Sequence, residues 1–481
     1  MDLKDICVEE KHSLKEAMKI IDHGGLRIAF VTDDEKRLAG VTTSGDIRKA
    51  ILKGANLETR IKEIMNPSPI VINTDWSEKE IKTFLKKDDV RSRISDYGTI
   101  RIPVVDEKNK IVDILIATED TAESYVKPSG KIKNKIEIDK PVKEVLIVGG
   151  AGYLGSVLCR KLLDRGYIVK VLDNLTYGDH GIKELYDHPR FKFFKGDIRD
   201  IEKVVEAAKE SDAVIHLAGI VGDPASALDP LKTIEVNYLA TKMLAEICKY
   251  SQINRFIFAS TCSVYGASPT PDTKIDEKSP LNPVSLYAEM KLKSEQGILE
   301  CVDENFSPTI LRMATLYGLS KRMRFDLVVN ILSIKALIDK KYYIFGGEQW
   351  RPNLHVDDAA EAYIKCLEAP IGTVRDKIFN VGSNEENYKI IEIGEKVKNL
   401  IPEAEMIIDE NMVDERNYNV SFDKIAKELK YTTKLKIQDG IAEIIEQVEK
   451  GEFEDYTDHK YSNYKFLQKN SSTKEILLEE T

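Results

Sequence analysis

A glycine-rich turn between an apolar stretch and a helical pattern constrains the fold of this 481-residue chain more than any other feature. The segment EVLIVGGAGYLGSVLCRKLL places Gly149, Gly152 and Gly155 three residues apart, directly after a predicted strand and at the start of a predicted helix. Glycines there let the backbone approach a pyrophosphate, which then lies at the helix N-terminus. The turn, with Tyr153 and Leu154, is therefore predicted to bind a dinucleotide.

The next predicted strands extend this unit into a larger sheet. The second strand ends at Asp173, and 173 − 149 = 24 residues is about the spacing expected of an acid that binds the ribose. A carboxylate there accepts the adenosine 2′-hydroxyl and repels a 2′-phosphate, which favours NAD over NADP. The predicted NAD contacts beyond the turn are Asp173, Asn174, Asp197, Ile198, Leu217, Ala218 and Gly219. The alternative interpretation of the acids is ordinary loop capping.

Strands alternate with helices at this spacing, which predicts an α/β fold with a doubly wound parallel sheet (Rossmann-like). Further along, SLYAEMKLKSEQ places Tyr287 and Lys291 four residues apart on one face of a predicted helix. A tyrosine with its usual pKa near 10 is a poor base at pH 7. A neighbouring ammonium and an oxidised nicotinamide stabilise the phenolate and lower that pKa. The pair is therefore a candidate for proton transfer.

These motifs, with FASTCSVYG at residues 258–266, resemble the extended short-chain dehydrogenase/reductase family. The resemblance is to its NAD-dependent nucleotide-sugar epimerase/dehydratase branch, covers about residues 143–450, and implies a smaller C-terminal substrate domain. It implies that Thr261 hydrogen-bonds the reacting sugar hydroxyl, that Tyr287 is the base and that Lys291 assists it. Asn237 matches a family residue that steadies the active site beside the cofactor. The implied diphosphate ligands are Asn330, Arg351 and Arg416, since guanidinium groups pair with phosphates in a bidentate manner.

The two positions after Thr261 discriminate among the reactions of this branch. The 4,6-dehydratases carry Asp-Glu there, whereas this chain has Cys262 and Ser263. Each missing acid or base group is worth about 10²–10⁴-fold in rate, so dehydration is disfavoured. We expect an isomerase, a nucleotide-sugar 4-epimerase that acts through a 4-keto intermediate. The alternatives are a nucleotide-sugar reductase or dehydrogenase of the same fold, catalysis by the Cys262 thiol, and a non-catalytic NAD or adenylate sensor.

The N-terminal part is an internal duplication of an apolar strand, an acidic turn, a second strand and a helix. It resembles a tandem pair of cystathionine-β-synthase (CBS) domains, an α+β module, over residues 1 to about 122. In that family an Asp at the end of the second strand holds an adenosine ribose. Thr43 and Asp46 match this motif in the first half, and Asp120 in the second. The resemblance implies regulation by an adenine nucleotide; the alternative for these residues is helix capping alone.

The sequence thus predicts four segments: the CBS pair (1–125), a Lys-rich linker (126–142), the catalytic part (143–452) and a polar tail (453–481). The first half of the tail contains aromatic residues and is expected to pack on the protein, whereas its last ten residues are expected to fray. The net charge of −10 argues against nucleic acid or an anionic membrane as a partner. Without a long apolar run or signal core, a cytoplasmic location is expected. Six dispersed cysteines and no HExxH predict no metal site. Both resemblances imply a homodimer or larger homo-oligomer.

Overall fold

The structure of the protein is a computed structural model that describes residues 3, 6–24, 28–97, 99–118, 121–124, 135–137, 142–268, 272–302, 306–411, 414 and 416–469. The chain divides into two compact units, residues 1–140 and 141–481. In the parts of the chain that the structure describes, no helix has the length and apolar character needed to cross a membrane.

The N-terminal unit contains two small sheets with helices against them. Its elements are β1 (Cys7–Glu9), α1 (Leu14–Gly24), β2 (Ile28–Thr32), β3 (Leu38–Thr43), α2 (Ser44–Leu52), β4 (Ile72–Asn73), α3 (Glu78–Leu85), α4 (Asp88–Tyr97), β5 (Thr99–Val105), β6 (Ile111–Thr118), β7 (Thr121–Ser124) and β8 (Lys135–Glu137). Strands β1 to β3 form one sheet and β4 to β8 form the other, each in chain order.

Matching turns in the two halves support the predicted duplication. The Asp33 carboxylate accepts two backbone N–H groups of the turn between β2 and β3, and Asp106 does the same between β5 and β6. Lys36 and Asn109 occupy corresponding positions in these turns, with φ of 64° and 58°. The two halves therefore share the same turn conformation, stabilised by an aspartate in the same way.

The predicted linker requires correction. Strand β8 lies within residues 126–142 and pairs antiparallel with β7, so part of this segment belongs to the second sheet of the N-terminal unit. A polar composition allows this because β8 is an edge strand, and an edge strand needs no apolar residues on both faces. The boundary between the two units falls between residues 140 and 141.

The C-terminal unit begins with an alternation of strands and helices. The elements in its first part are β9 (Glu144–Val148), α5 (Tyr153–Asp164), β10 (Ile168–Asp173), β11 (Phe191–Lys195), α6 (Ile201–Ala208), β12 (Ala213–His216), α7 (Asp223–Leu228), α8 (Pro230–Ile234), α9 (Ala240–Tyr250), β13 (Arg255–Thr261), β14 (Lys274–Ile275), α10 (Leu286–Leu299) and β15 (Ser307–Met313). A π-helical turn, Glu235–Leu239, joins α8 to α9.

The second part of this unit holds the remaining elements. They are β16 (Thr315–Tyr317), α11 (Val328–Ile338), β17 (Lys341–Phe345), β18 (Trp350–His355), α12 (Val356–Glu368), α13 (Ile371–Val374), β19 (Lys377–Val381), β20 (Asn387–Lys389), α14 (Ile390–Leu400), β21 (Glu405–Asp409), β22 (Asn419–Val420), α15 (Asp423–Leu429) and α16 (Ile437–Glu449). Helices α11, α14 and α16 pack with β17 around an apolar core of their own, in the region where the resemblance implies a smaller C-terminal substrate domain.

The main sheet has seven parallel strands in the order β11-β10-β9-β12-β13-β15-β19. Its inner strands are mainly apolar on both faces, and one hydrophobic core lies on each side of the sheet. This is the predicted doubly wound arrangement. Because chain order reverses between β9 and β12, a crevice opens at the carboxyl ends of these strands, where α/β sheets bind ligands.

The aromatic part of the predicted tail packs as expected. The rings of Phe453, Tyr456 and Tyr461 surround Phe325 in edge-to-face contacts, with ring centroids 5.1 to 6.2 Å apart. Residues 463–469 are helical. The last ten residues, 472–481, which were expected to fray, lie outside the described residues. Residues 453–469 are called the C-terminal segment below.

Candidate active site

A cavity of about 750 Å³ occupies the crevice at the carboxyl ends of β9, β10, β12 and β13. The glycine turn forms one wall. Gly149 has φ +89°, and a Cβ added to it would lie 2.5 Å from the Ala218 backbone nitrogen; one added to Gly155 would lie 2.6 Å from the Gly149 oxygen. Only glycine fits at both positions, so the turn leaves room for a bound group at the start of α5.

All but one of the predicted NAD contacts line this cavity. Asp173 accepts the backbone N–H groups of Ala151 and Leu175, at 3.0 and 2.8 Å, and its burial raises its pKa. Burial also opposes the charge of Asp197, but hydrogen bonds from Arg199 and Asn174 outweigh it and hold the Asp197 pKa at about 2. A glycine cradle beside a fixed carboxylate fits the pyrophosphate and ribose of a dinucleotide.

The exception is Asn237, which does not line the cavity. Its side chain accepts the backbone N–H of Ile220 at 2.7 Å and donates to the Ile220 carbonyl at 2.9 Å. A Cβ on Gly219 would lie 3.1 Å from its oxygen. This position does not support the predicted cofactor contact, whereas the steadying role agrees with these bonds. The π-helical turn that carries Asn237 is a type of distortion often found at functional sites.

The structure brings Thr261, Tyr287 and Lys291 together at one end of the cavity. Thr261 ends β13, and Tyr287 lies in the first turn of α10, and both residues line the cavity. Lys291 is 3% exposed, and its Nζ donates to the Ala259 carbonyl at 2.7 Å. Burial lowers the pKa of Lys291 to about 8, so most molecules carry the ammonium at pH 7.

The pKa of Tyr287 is set mainly by its burial, which raises it. The negative charge of Asp223 raises it further, and the positive charge of Arg324 lowers it. The ammonium of Lys291 is directed at Ala259, so the predicted lowering by Lys291 is not the leading effect. Sequence reasoning missed Asp223 and Arg324. The Gly-Asp-Pro sequence at the start of α7, directly after the fourth strand, was the available signal for Asp223.

Arginines and acids form a cluster at the same end of the cavity. Arg351 and Arg416 both pair with Asp414, at 2.8 and 2.5 Å, and Arg416 also pairs with Asp223 at 2.7 Å. Although burial opposes it, the two guanidinium groups keep the Asp414 pKa at about 2. The predicted Arg351 and Arg416 therefore lie together in the cavity wall, as a shared diphosphate site requires.

Asn330, predicted as a diphosphate ligand, faces the protein interior in this structure. It is fully buried in α11 and does not line the cavity. Its oxygen accepts the Gly318 N–H at 3.0 Å, and its nitrogen donates to the Tyr153 hydroxyl and the Arg324 carbonyl, at 3.2 and 2.9 Å. With its amide satisfied inside the protein, Asn330 fixes the loop between β16 and α11.

The two positions after Thr261 have structural partners. Cys262 is 1% exposed, its Sγ donates to the Arg312 carbonyl at 3.3 Å, and burial raises the pKa of the thiol. Ser263 lines the cavity and lies 3.2 Å from the Tyr418 hydroxyl. A buried neutral thiol is a poor base or nucleophile, which removes the alternative of catalysis by Cys262. Tyr418, two residues after Arg416, is a further cavity residue that sequence reasoning missed.

A buried polar network lies behind the strand that carries Thr261. Arg312 and Glu295 form a fully buried ion pair at 2.7 Å, and Arg312 also donates to the Tyr265 hydroxyl at 3.0 Å. Ser260 donates to Glu295, and Tyr265 donates to Asn380 at 2.7 Å. Every group has a partner, so the network holds β13, β15 and α10 in one arrangement.

In the N-terminal unit, the residues predicted to bind a nucleotide cap a helix. The Thr43 hydroxyl accepts the Asp46 N–H at 3.2 Å, and Asp46 accepts the Thr43 N–H at 2.9 Å and its hydroxyl at 2.7 Å. These bonds are those of a helix N-cap at the start of α2, which is the alternative interpretation of these residues. It does not test nucleotide binding by Asp46, which stays a prediction. Asp120 lies outside the described residues.

Comparisons with known proteins match both units. The profile of the NAD dependent epimerase/dehydratase family matches residues 145–382, and that of the CBS domain matches residues 1–53 and 61–118. A UDP-glucose 4-epimerase of Bacillus subtilis is 30% identical over 273 residues, covering 52% of this chain and 79% of that protein. A dTDP-D-glucose 4,6-dehydratase of Dictyostelium discoideum is 31% identical over 282 residues, covering 54% of this chain and 62% of that protein.

The fold matches solved structures as well. The structure of a UDP-glucuronic acid 4-epimerase from Bacillus cereus, in complex with UDP-glucuronic acid and NAD, aligns with a TM-score of 0.57 and 26% identity. The alignment covers 64% of this chain and 99% of that one. The similarity thus extends over nearly the whole of a chain whose structure contains NAD and UDP-glucuronic acid.

Proposed function

Because the chain belongs to the NAD-dependent epimerase/dehydratase family and carries a CBS domain pair at its N-terminus, we propose that it is a nucleotide-sugar 4-epimerase. Its cofactor is NAD. When bound, NAD accepts a hydride from a sugar carbon that bears a hydroxyl and can return it to the carbonyl carbon. The observation that carries the choice of reaction is the Cys262–Ser263 pair after Thr261, where no carboxylate is available.

The proton of the reacting hydroxyl is handled by Thr261 and Tyr287. Both residues line the same end of the cavity, so a sugar hydroxyl bound there would contact both side chains. Thr261 orients the sugar oxygen, and Tyr287 accepts its proton and later returns it. The ammonium of Lys291, one helical turn away, favours the charged form of the tyrosine.

Dehydration needs an acid and a base, and the two residues after Thr261 supply neither. Cys262 is buried and neutral, and Ser263 has no basic form at pH 7. Asp223 and Asp414 are carboxylates at this end of the cavity, and Asp414 pairs with Arg351 and Arg416. Asp223 accepts a hydrogen bond from Ser285 at 2.8 Å and pairs with Arg416. With its oxygens committed in this way, Asp223 supports the site geometry and does not replace the missing pair.

The substrate is proposed to be a nucleotide diphosphate sugar, with UDP as the nucleotide because several relatives act on UDP sugars. Arg351 and Arg416 would take its diphosphate, exchanging their present carboxylate partner, Asp414, for phosphate oxygens. A purified enzyme tests this directly: mass spectrometry identifies the co-purifying nucleotides, and a panel of UDP and dTDP hexoses identifies the substrate. If no sugar nucleotide shows turnover that is lost in Tyr287→Phe, the enzyme proposal fails.

The CBS pair is proposed to bind an adenine nucleotide through Asp46 and so regulate a homo-oligomeric enzyme. The support is the match of Thr43 and Asp46 to the family motif, at the end of β3. Calorimetry with AMP, ADP, ATP and S-adenosylmethionine, on the full chain and on Asp46→Asn, tests the binding. Heat released by the wild type alone supports it, and no heat with any of the four refutes it. Light scattering measures the oligomeric state.

A further inference from the structure

One arginine in the cavity wall has hydrogen-bonding groups without partners. Arg322, in the loop after β16, is 5% exposed, and its Nε and Nη2 are buried with no hydrogen-bond acceptor among the residues that the structure describes. Burial and the neighbouring charge of Arg324 lower its pKa to about 10, which still leaves it charged at pH 7. A buried cation without acceptors is costly, and such groups are normally paired.

Tyr177 presents a second group of this kind at the same place. Its hydroxyl is also buried without a partner in the described part of the chain, and its ring lies 4.5 Å from the Arg322 guanidinium carbon. Tyr177 follows Asp173 by four residues. Burial raises the Asp173 pKa, and the positive charge of Arg322 acts in the opposite direction, so Arg322 lies near this carboxylate. Unpaired donors from two loops therefore meet near the carboxylate assigned to the adenosine ribose.

The C-terminal segment covers this place from the other side. The ring of Phe466 packs edge-to-face on Tyr177, with centroids 5.5 Å apart, so Tyr177 contacts both Arg322 and Phe466. Asn463 holds the segment down, because its N–H donates to Asp326 at 2.8 Å and its amide nitrogen donates to the Val221 carbonyl at 3.1 Å. Asn463 itself lines the cavity.

We propose that Arg322 and Tyr177 bind a phosphate group of the dinucleotide, and that the C-terminal segment closes over this phosphate through Phe466. A phosphate supplies the acceptors that both side chains lack, and a guanidinium is the side chain best suited to hold it. The sugar nucleotide also carries phosphates, but Arg351 and Arg416 serve that end of the cavity. This inference concerns NAD binding and not epimerisation, so it can fail without affecting the proposed reaction.

Equilibrium binding of NAD, NADP and UDP to the full chain tests the assignment. Arg322→Gln is expected to weaken NAD binding about 10- to 100-fold and to leave UDP binding within about twofold. Arg322→Lys keeps the positive charge but lacks the two-pronged guanidinium, so its NAD affinity is expected to lie between those of the wild type and Arg322→Gln. Tyr177→Phe is expected to weaken NAD binding a few-fold. Lys321→Gln is the matched control, since Lys321 is an exposed neighbour whose closest acid is 3.9 Å away.

Three results would overturn the assignment. NAD binding unchanged in Arg322→Gln would exclude a contact, and a loss confined to UDP would place the arginine on the substrate. Tighter binding of NADP than of NAD by the wild type would place it on a 2′-phosphate. Because Arg322 has unpaired groups, Arg322→Gln is expected to keep the wild-type melting temperature, which separates a binding defect from a folding defect.

The closing role of the segment has its own measurement. Phe466→Ala is expected to release bound NAD at least about fivefold faster during dialysis of the purified protein, with unchanged UDP affinity. Tyr464→Ala, two residues away in the same helical stretch, is the control. An unchanged NAD release rate in Phe466→Ala would remove the segment from cofactor binding, even if Arg322 proved to be a phosphate ligand.

Discussion

The Nζ of Lys291 donates a 2.7 Å hydrogen bond to the backbone carbonyl of Ala259, two residues before Thr261. This bond ties α10, which carries Tyr287, to the strand that ends at Thr261. The same ammonium lies 4.7 Å from the Phe258 ring. The ammonium that the proposed reaction needs is thus buried away from water, so Lys291 affects stability as well as activity.

Lys291→Met is expected to abolish turnover and yet to raise the melting temperature at pH 7 by a few degrees. Burial lowers the Lys291 pKa from 10.5 to about 8, so the folded protein holds the charge at a cost below pH 8. Between pH 8 and 10.5 the unfolded chain binds more protons at this site, and wild-type stability rises with pH. The difference in melting temperature between the variant and the wild type should therefore become smaller from pH 7 to pH 10. A variant less stable than wild type at pH 7 would contradict this.

Asp223→Asn is expected to move the ascending limb of the pH–rate profile to lower pH by about half a unit. The charge of Asp223 raises the Tyr287 pKa, and removing it makes the phenolate easier to form. The variant should also show a higher KM, because Asp223 no longer holds Arg416 in its place in the cavity wall. Asp187→Asn, at an exposed turn, is the control. A shift to higher pH would show that Asp223 does not act on Tyr287 in this way.

Glu295→Ala is expected to lower the free energy of unfolding by about 3–5 kcal/mol, because it leaves the Arg312 charge buried without its partner. The double substitution of Glu295 and Arg312 by Met removes both charges and should recover part of that loss. Denaturant unfolding measures all three proteins. A loss below about 1 kcal/mol in Glu295→Ala would mean that this network does not hold the Thr261 strand.

Cys262→Ala is expected to retain activity within about fivefold of wild type and to lose about 1 kcal/mol of stability through the small cavity that it leaves. The Cys262 side chain is buried and bonded to the Arg312 carbonyl, away from a reacting sugar. Initial rates and thermal melts measure the two effects. A loss of activity of 100-fold or more, with the fold intact, would return the thiol to the list of catalytic groups.

The parts of the site that the sequence predicted are those whose geometry is set within a few residues. The glycine turn needs a backbone without Cβ beside Ala218, and Asp173 follows from the length of one βαβ unit. Tyr287 and Lys291 share a helix face because of helical periodicity. In each case local spacing alone decides where the groups lie, and the structure places them in the cavity.

The parts that escaped prediction depend on contacts between distant segments. Asn330 occurs in the expected stretch of sequence, but α11 turns its amide toward Tyr153 and Gly318 and away from the cavity. Phe466 contacts Tyr177, from which it is separated by nearly 290 residues in the sequence. The periodicity of a sequence contains no information about such a distant contact. The linker was misjudged because composition describes side chains, whereas β8 joins its sheet through the backbone.

In the proposed reaction, the hydride taken from C4 of the sugar returns to C4. Incubation of the purified enzyme with UDP-hexose carrying deuterium at C4, followed by NMR of the sugar product, tests this most directly. We predict the C4 epimer, with deuterium retained at C4 and no net production of NADH. Deuterium at C6 in a 4-keto-6-deoxy product, or NADH formed in proportion to the product, would contradict the account.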